Sequence, residues 1–507
     1  MLQSCRILAI CALVLPSFPL RAFQGPAPDL AAEAQREAYA GRNDYAATLF
    51  QKLVDQDPTR GDAYYGLVRA LLKDHKSHEA YTAAAQGIQK APQSSAAQAA
   101  AGLAAFRRGD VSQAEKFFQA AYKIDPKNPG ALTGLASIYS MVSKFKSARQ
   151  LMLEAYRYAP NDPALMLAKA NSLKGAEHIA ALEKILPIYD AESDQARGLR
   201  AHIANDRAIG DRIIRRLTSP YQAEKIKMLP LWDGPKHLRG MGLRVRFNEK
   251  ETATLLLDTG ASGISLSPKV AEKAGLELLG QESTEAKGIG DDRGQESREY
   301  LASSLQIGDV TFENYPVAIF RSAKSEDYAG LIGADVFARF LVGIDFVKSE
   351  MTLDPLAIPV SADDESEDAG KDIAPGFYRA LRFGNHLSIF TSVNQGPGKL
   401  FLIDSGSTAN LMDEAAAREE ASVSGGSPVI VRGIQGKVEK TSMARHVSLV
   451  FAGLRHDNPD LIAFNFDKMN DSMGVGLAGV IGMPVLIQLK LTIDYRNGTV
   501  RMEYKQP

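Results

Sequence analysis

The chain has 507 residues, room for roughly two to four domains. Its formal net charge of -1 removes any electrostatic case for nucleic-acid binding. Apolar residues make up 45%, an ordinary globular share, and both cysteines, Cys5 and Cys11, fall in the first 22 residues. Beyond that point no disulfide framework, thiol nucleophile or Cys-ligated metal is available.

Residues 1–22 read as a secretory signal. Arg6 supplies a positive n-region, Ile7 to Leu15 an apolar h-region, and Leu20-Arg21-Ala22 a cleavage site. The apolar run is too short to span a bilayer comfortably. The expectation is an exported protein, periplasmic or extracellular, with an uncleaved anchor as the alternative and no other stable membrane insertion. Cysteine avoidance downstream fits an oxidising compartment.

Residues 30–217 carry a helical period. Pro58, Pro92, Pro126 and Pro160 are spaced by 34. In the clearest unit, Gly102 lies in a first helix, Gly109-Asp110 at the turn, and Ala114, Phe118 and Ala121 in a second helix ended by Pro126. Leu135, Ala136, Tyr139, Ala148, Ala155 and Pro160 repeat the pattern, and Tyr64, Leu67, Ala80 and Pro92 precede it. These units resemble tetratricopeptide repeats, whose stacked helix pairs bury a core that no single pair could bury. Further amphipathic helices are read over Ile179–Tyr189 and Arg197–Leu217. The resemblance implies a concave groove that holds a protein partner or presents substrate; a rigid spacer or self-association surface is the alternative.

Ser219-Pro220 opens a link that contains Trp232, the only tryptophan, read as an anchor of the next unit to the repeats. Residues 241–358 are dominated by strand patterns: Leu243–Phe247, Thr252–Leu257, Leu301–Ile307, Val310–Phe312, Val317–Phe320 and Leu341–Phe346, with a short helix at Pro268–Ala274. Residues 361–372 form an acidic linker that cannot pack. Residues 373–507 form a second β unit.

The two β units repeat each other. Leu255-Leu256-Leu257-Asp258-Thr259-Gly260-Ala261 is matched by Phe401-Leu402-Ile403-Asp404-Ser405-Gly406-Ser407. Gly288-Ile289-Gly290 follows Asp258 by 30 residues, and Gly433-Ile434-Gln435-Gly436 follows Asp404 by 29. Gly330-Leu331-Ile332-Gly333 and Ile344-Asp345-Phe346 recur at an offset of 149 as Gly479-Val480-Ile481-Gly482 and Ile493-Asp494-Tyr495. Four features in one order make an internal duplication. A carboxylate at the end of a buried run is costly unless paired or hydrogen-bonded. Two of them suggest a pair of acids that share one proton. Asp345 and Asp494 also end apolar strands, but turn residues follow them, so they read as hairpin structure.

The duplicated half, Leu243 to Tyr504, resembles the pepsin and retropepsin-like aspartic peptidases, with two fused lobes of retroviral size. The fold expected overall is multidomain: an all-α tetratricopeptide solenoid followed by a mainly β, two-lobed acid-protease fold. The resemblance implies an aspartic endopeptidase acting on polypeptide, with Asp258 and Asp404 catalytic. It implies that Thr259 and Ser405 bond between the two loops and that Gly260, Gly406 and Ser407 support them. Gly288, Ile289, Gly290, Gly433 and Ile434 would lie in two flaps. Ala261 where Ser407 stands in the other copy removes one hydrogen bond at Asp258, so a mildly acidic to near-neutral optimum is expected. No cofactor is implied. His386, His446 and His456 show no metal-ligand spacing, and Gly474-Val475-Gly476 lacks a nucleotide-binding context. The alternative is a non-catalytic protein that grips extended peptide with the same fold.

Overall fold

The computed structural model describes residues 29–232, 238–286, 289, 294–320, 328–356, 373–426, 431–433 and 436–504. The signal segment 1–22, the acidic linker 361–372 and the flap residues Gly288, Gly290 and Ile434 lie outside the described residues.

The 34-residue period is built as antiparallel helix pairs. They are Leu30–Ala40 with Asn43–Gln56, Gly61–Lys73 with Ser77–Lys90, Ser95–Arg107 with Val111–Ile124, Pro129–Met141 with Phe145–Tyr158, and Pro163–Ala170 with Gly175–Ile185. Asp194–Ile209 closes the series. Ser94, Asp110, Asn128 and Asp162 each accept a first-turn backbone N–H of the helix that follows, satisfying a donor the helix leaves open. Each periodic proline directly follows a C-capping residue: Asp57, Ala91, Asp125 or Ala159. A proline there cannot continue the helix. Between neighbouring pairs, Phe118 fills a slot left by two glycines. A Cβ on Gly102 or Gly134 would stand 2.6 or 2.2 Å from its ring.

The turns inside the pairs repeat too. Gly41, His75, Gly109 and Ser143, each 34 residues apart, all adopt positive φ (89°, 59°, 80° and 60°). For His75 and Ser143 this conformation costs on the order of 1–2 kcal/mol, so tertiary contacts must hold it. The last three turns form a ridge docked on the second β unit. Arg107 and His75 both pair with Asp471. Gly109 approaches Gly476 so closely that a Cβ would stand 2.1 Å from the Gly476 carbonyl oxygen. The Arg382 guanidinium lies 4.7 Å over the Phe145 ring. Beneath the ridge, Ala105, Val111, Phe118 and Leu135 share one apolar cluster with Leu400, Leu402, Phe464 and Val480. The solenoid and the second unit thus have a common core.

Across the inner face, Arg69 forms a two-pronged ion pair with Asp162, 93 residues away (2.5 and 3.1 Å). Burial alone would raise the Asp162 carboxyl, but Arg69 outweighs it and holds the group below its ordinary range.

The helix read over Arg197–Leu217 ends at Ile209, and Gly210 breaks it with φ 58°. Arg216–Leu217 instead forms a strand pairing antiparallel with Val310–Ile319, because an open sheet edge offers its backbone partners. Val310–Ile319 is one continuous strand where the sequence pattern reads two. Asn314, at φ 52°, interrupts the alternation but not the ladder. Trp232 does not anchor the repeats: it is half exposed, because Leu231 takes the inward position of its short strand.

The β half contains a ten-stranded sheet, an eight-stranded sheet and a six-stranded sheet between them. The six-stranded sheet joins the lobes through Phe340–Asp345 and Leu489–Asp494. Leu341 pairs with Asp494 and Asp345 with Lys490. Given the offset of 149, Leu341 faces the copy of Asp345 and Asp345 faces the copy of Leu341, the self-complementary pairing of a two-fold axis. Asp345 and Asp494 accept the N–H of Lys348 and Asn497, so both carboxylates close hairpin turns.

Candidate active site

Asp258 ends the strand Glu251–Asp258, and Asp404 directly follows Gly398–Ile403. Both strands turn apolar just before the acid, at Leu255–Leu257 and Leu400–Ile403, and run beside a parallel strand from the repeated Gly-x-Ile-Gly segments. Gly333 pairs with Asp258, and the Asp404 N–H donates to the Ile481 carbonyl at 3.0 Å. The duplicated segments therefore bring each acid to the same interface from opposite lobes.

Four hydrogen bonds lock the two loops together. The Thr259 hydroxyl donates to the Ile403 carbonyl (2.8 Å) and accepts the Ser405 N–H (2.9 Å). Reciprocally, the Ser405 hydroxyl donates to the Leu257 carbonyl (2.8 Å) and accepts the Thr259 N–H (3.0 Å). Both side chains are 1% exposed, so these bonds form in a dry environment where an unmade one is expensive. The loop glycines face the opposite acid. A Cβ on Gly260 would stand 2.5 Å from Asp404 Cγ, and one on Gly406 2.3 Å from Asp258 Oδ2. Only glycine lets the carboxyls face each other this closely.

The two acids are not equivalent. Asp258 Oδ1 accepts one N–H, from Gly260 at 2.8 Å. Asp404 Oδ1 accepts two, from Gly406 at 2.8 Å and Ser407 at 3.1 Å. The sequence pattern placed this difference in the Ser407 hydroxyl, which Ala261 lacks. That hydroxyl instead donates to the Ala409 carbonyl at 2.8 Å. The Ser407 N–H makes the extra bond while also donating to the Asp404 carbonyl at 3.3 Å; the Ala261 N–H donates to the Asp258 carbonyl at 3.2 Å. Burial, the Asp404 charge and a hydrogen bond to Asp404 together push the Asp258 carboxyl well above the carboxylate range. The Gly260 N–H and the Arg239 cation oppose them.

Three neighbours had no signal in the motifs. Arg239 opens the strand Leu238–Phe247 and donates to the Gly406 carbonyl at 2.8 Å. Asp335 follows Gly333 and accepts the Gly263 N–H at 2.9 Å and an Asn385 amide N–H at 2.6 Å, tying the first active loop to the second lobe. His386 sits beside these groups. Burial lowers its pKa, against the Asp335 and Asp404 carboxylates and the Gly260 carbonyl. Each is a single polar residue at or near the start of a strand or short helix, so no periodicity marks what it faces.

The two flap segments converge. A Cβ on Gly433 would stand 2.3 Å from the Ile289 carbonyl oxygen. Gly433 belongs to a two-stranded hairpin, Arg432–Gly433 with Gly436–Lys437. The hairpin's apolar feet, Val431 and Val438, belong to the cluster shared with the solenoid. The base of the second flap thus belongs to the core that the solenoid and the second unit share.

Residues 243–336 and 391–485 both match the aspartyl protease family, one match for each lobe. Residues 67–129 and 105–172 match tetratricopeptide repeat families. A TPR repeat-containing protein of Pseudomonas aeruginosa is 27% identical over 129 residues, a match spanning 25% of this chain. This chain covers only 22% of that relative's length. Among solved structures, the chain is similar to the APC/C Cut9–Hcn1 hetero-tetramer at 15% identity and TM-score 0.28, over 35% of this chain and 42% of that one. It is likewise similar to a thermophilic TPR protein of Thermus thermophilus at 19% identity and TM-score 0.27, over 35% of this chain and 96% of that one.

Proposed function

The chain joins tetratricopeptide repeats to two aspartyl-protease modules, and we propose on that premise that it is an exported endopeptidase that hydrolyses peptide bonds with Asp258 and Asp404. The observation that carries this reading is the complete reciprocal lock between Thr259 and Ser405. It positions two carboxyls with no other evident structural task. A merely structural pair would be replaceable by neutral groups and would not need two glycines to bring like charges together.

Two carboxyls this close retain one proton between them. The pair titrates as a unit, and burial with the neighbouring charge raises the Asp258 carboxyl, which favours the proton there. A water between them gives a proton to Asp404 as its oxygen attacks the scissile carbonyl carbon. Asp258 gives its proton to the carbonyl oxygen, forming a neutral diol. Collapse of the diol breaks the C–N bond. Asp404 hands its proton to the leaving nitrogen, and one hydroxyl proton returns to Asp258. Arg239 supports this cycle by fixing the Gly406 carbonyl and moderating the charge beside the acids. Substrate is an extended polypeptide, held by strand-type hydrogen bonds under the converging flaps, whose closure excludes water.

The ridge of repeat turns supports a role for the repeats in holding the second lobe and its flap. Their exposed helices leave surface for a protein partner. The N-terminal apolar segment and the absence of cysteine after Cys11 support export. No helix among the described residues is long and apolar enough to cross a membrane. The test is turnover of an unfolded polypeptide in ¹⁸O-labelled water. Label appearing in the new carboxyl ends is expected. Peptide binding without cleavage at any pH from about 3 to 8 would replace the enzyme with a binding module.

A further inference from the structure

Three side chains at the end of the solenoid converge without a role in the chemistry above. His178 lies on Gly175–Ile185, while His202 and Asp206 lie one turn apart on Asp194–Ile209. Asp206 Oδ2 is 3.1 Å from His178 Nε2 and 3.4 Å from His202 Nε2. The donor atoms of all three lie within 4.8 Å of one another. Metal–ligand bonds of roughly 2.0–2.2 Å in a tetrahedron place ligand atoms about 3.4 Å apart, close to the 3.1 and 3.4 Å from Asp206 to the two imidazoles.

The hydrogen bonds sharpen the point. His178 Nδ1 is 2.8 Å from the Ala170 carbonyl oxygen. A carbonyl only accepts, so the proton must sit on Nδ1. His178 Nε2 is then the ring nitrogen turned toward the Asp206 carboxylate oxygen 3.1 Å away, where both could bind one metal ion. A backbone carbonyl that fixes the tautomer and frees the other nitrogen is the usual support of a metal-binding histidine. A second imidazole aimed at the same oxygen is what an ion would need and a proton would not.

We propose that His178, His202 and Asp206 bind one divalent transition-metal ion of the zinc class. The two imidazole nitrogens and one carboxylate oxygen suit it, and the half-exposed His202 side leaves a further position to water. The ion clips the last two helices together. Asn205, between two of the ligands, donates to Glu299 of the first lobe at 2.7 Å, so the clip stiffens the joint between solenoid and lobe. This site is independent of the peptidase reading.

The experiment uses untagged full-length protein stripped with chelator. Zn²⁺ is titrated by calorimetry, and Co²⁺ by its visible absorption, which reports tetrahedral geometry. One ion per chain is expected, with a rise in thermal midpoint on binding. His202→Ala and Asp206→Asn should each weaken binding at least about tenfold, with unchanged circular dichroism because both residues face solvent in part. Asp258→Asn should bind the ion like the wild type. Absence of Zn²⁺ binding in the wild type, or wild-type affinity in both ligand variants, overturns the proposal and leaves a proton-bridged cluster.

Discussion

Thr259→Val removes one hydroxyl and keeps the shape of the side chain. Two bonds vanish: the one to the Ile403 carbonyl and the one from the Ser405 N–H. Valine fills the space, so no cavity term arises. The buried Ile403 carbonyl and Ser405 N–H are left without these partners, at about 1–3 kcal/mol each. The expected loss is therefore about 2–6 kcal/mol from the interface between the lobes. Urea unfolding followed by far-UV circular dichroism measures it, read as a shift in midpoint at unchanged slope. Thr259→Ser keeps the hydroxyl and should stay within about 1 kcal/mol of wild type. Ser405→Ala breaks the mirror-image pair of bonds, and the double variant should be less destabilised than the sum, because both changes disrupt one network. Peptide hydrolysis should fall in parallel as the carboxyls lose their mutual orientation. A Thr259→Val protein with wild-type midpoint and wild-type turnover would refute the reasoning.

Further expectations concern charge and docking. Activity needs the shared proton, and the Asp258 carboxyl lies above its ordinary range. The rate should therefore persist up to mildly acidic or near-neutral pH and fall as that proton is lost; an optimum below about pH 3 would contradict this. Gly109→Ala drives a Cβ into the Gly476 carbonyl from a left-handed backbone position. It should loosen the second lobe from the repeats, seen as faster limited proteolysis between them. Arg69→Met strands the Asp162 carboxylate in the inner face of the solenoid and should cost about 3–5 kcal/mol. Because Asp162 sits below its ordinary range when folded, its contribution is present above the ordinary aspartate range. It is lost as pH falls through the depressed value, so the gap between variant and wild type should close in acid.

What the sequence made legible follows from local chemistry and repetition. Prolines at a period of 34 mark helix ends wherever they stand, so the solenoid could be read directly. The duplicated Asp-[Ser/Thr]-Gly and Gly-x-Ile-Gly segments revealed the paired acids because each lobe repeats the other's chemistry in order. The rest depends on contacts between distant segments. Arg216–Leu217 is helical by pattern and a strand only because Val310–Ile319 presents an edge. Glu224–Lys227 looks like linker, yet it extends the sheet between the lobes by pairing with Glu350–Pro355. Arg239 and His386 reach the acids from the starts of two strands, Leu238–Phe247 and His386–Val393, where no local pattern says what a lone polar residue will face. The unequal hydrogen bonding at Asp258 and Asp404 was legible in kind but assigned to the wrong atom: the Ser407 backbone makes the bond, not its hydroxyl. Of the ridge formed by His75, Gly109 and Ser143, only the Gly109-Asp110 turn was read, and nothing local says what a turn will touch.

The decisive measurement is cleavage of an unfolded polypeptide by wild type, by Asp258→Asn, by Asp404→Asn and by the two variants mixed. If both acids of one chain form one site, wild type cuts, each variant alone is inactive and the mixture stays inactive. Activity restored by mixing would place the two acids on different chains, and activity surviving in either variant alone would contradict a shared pair.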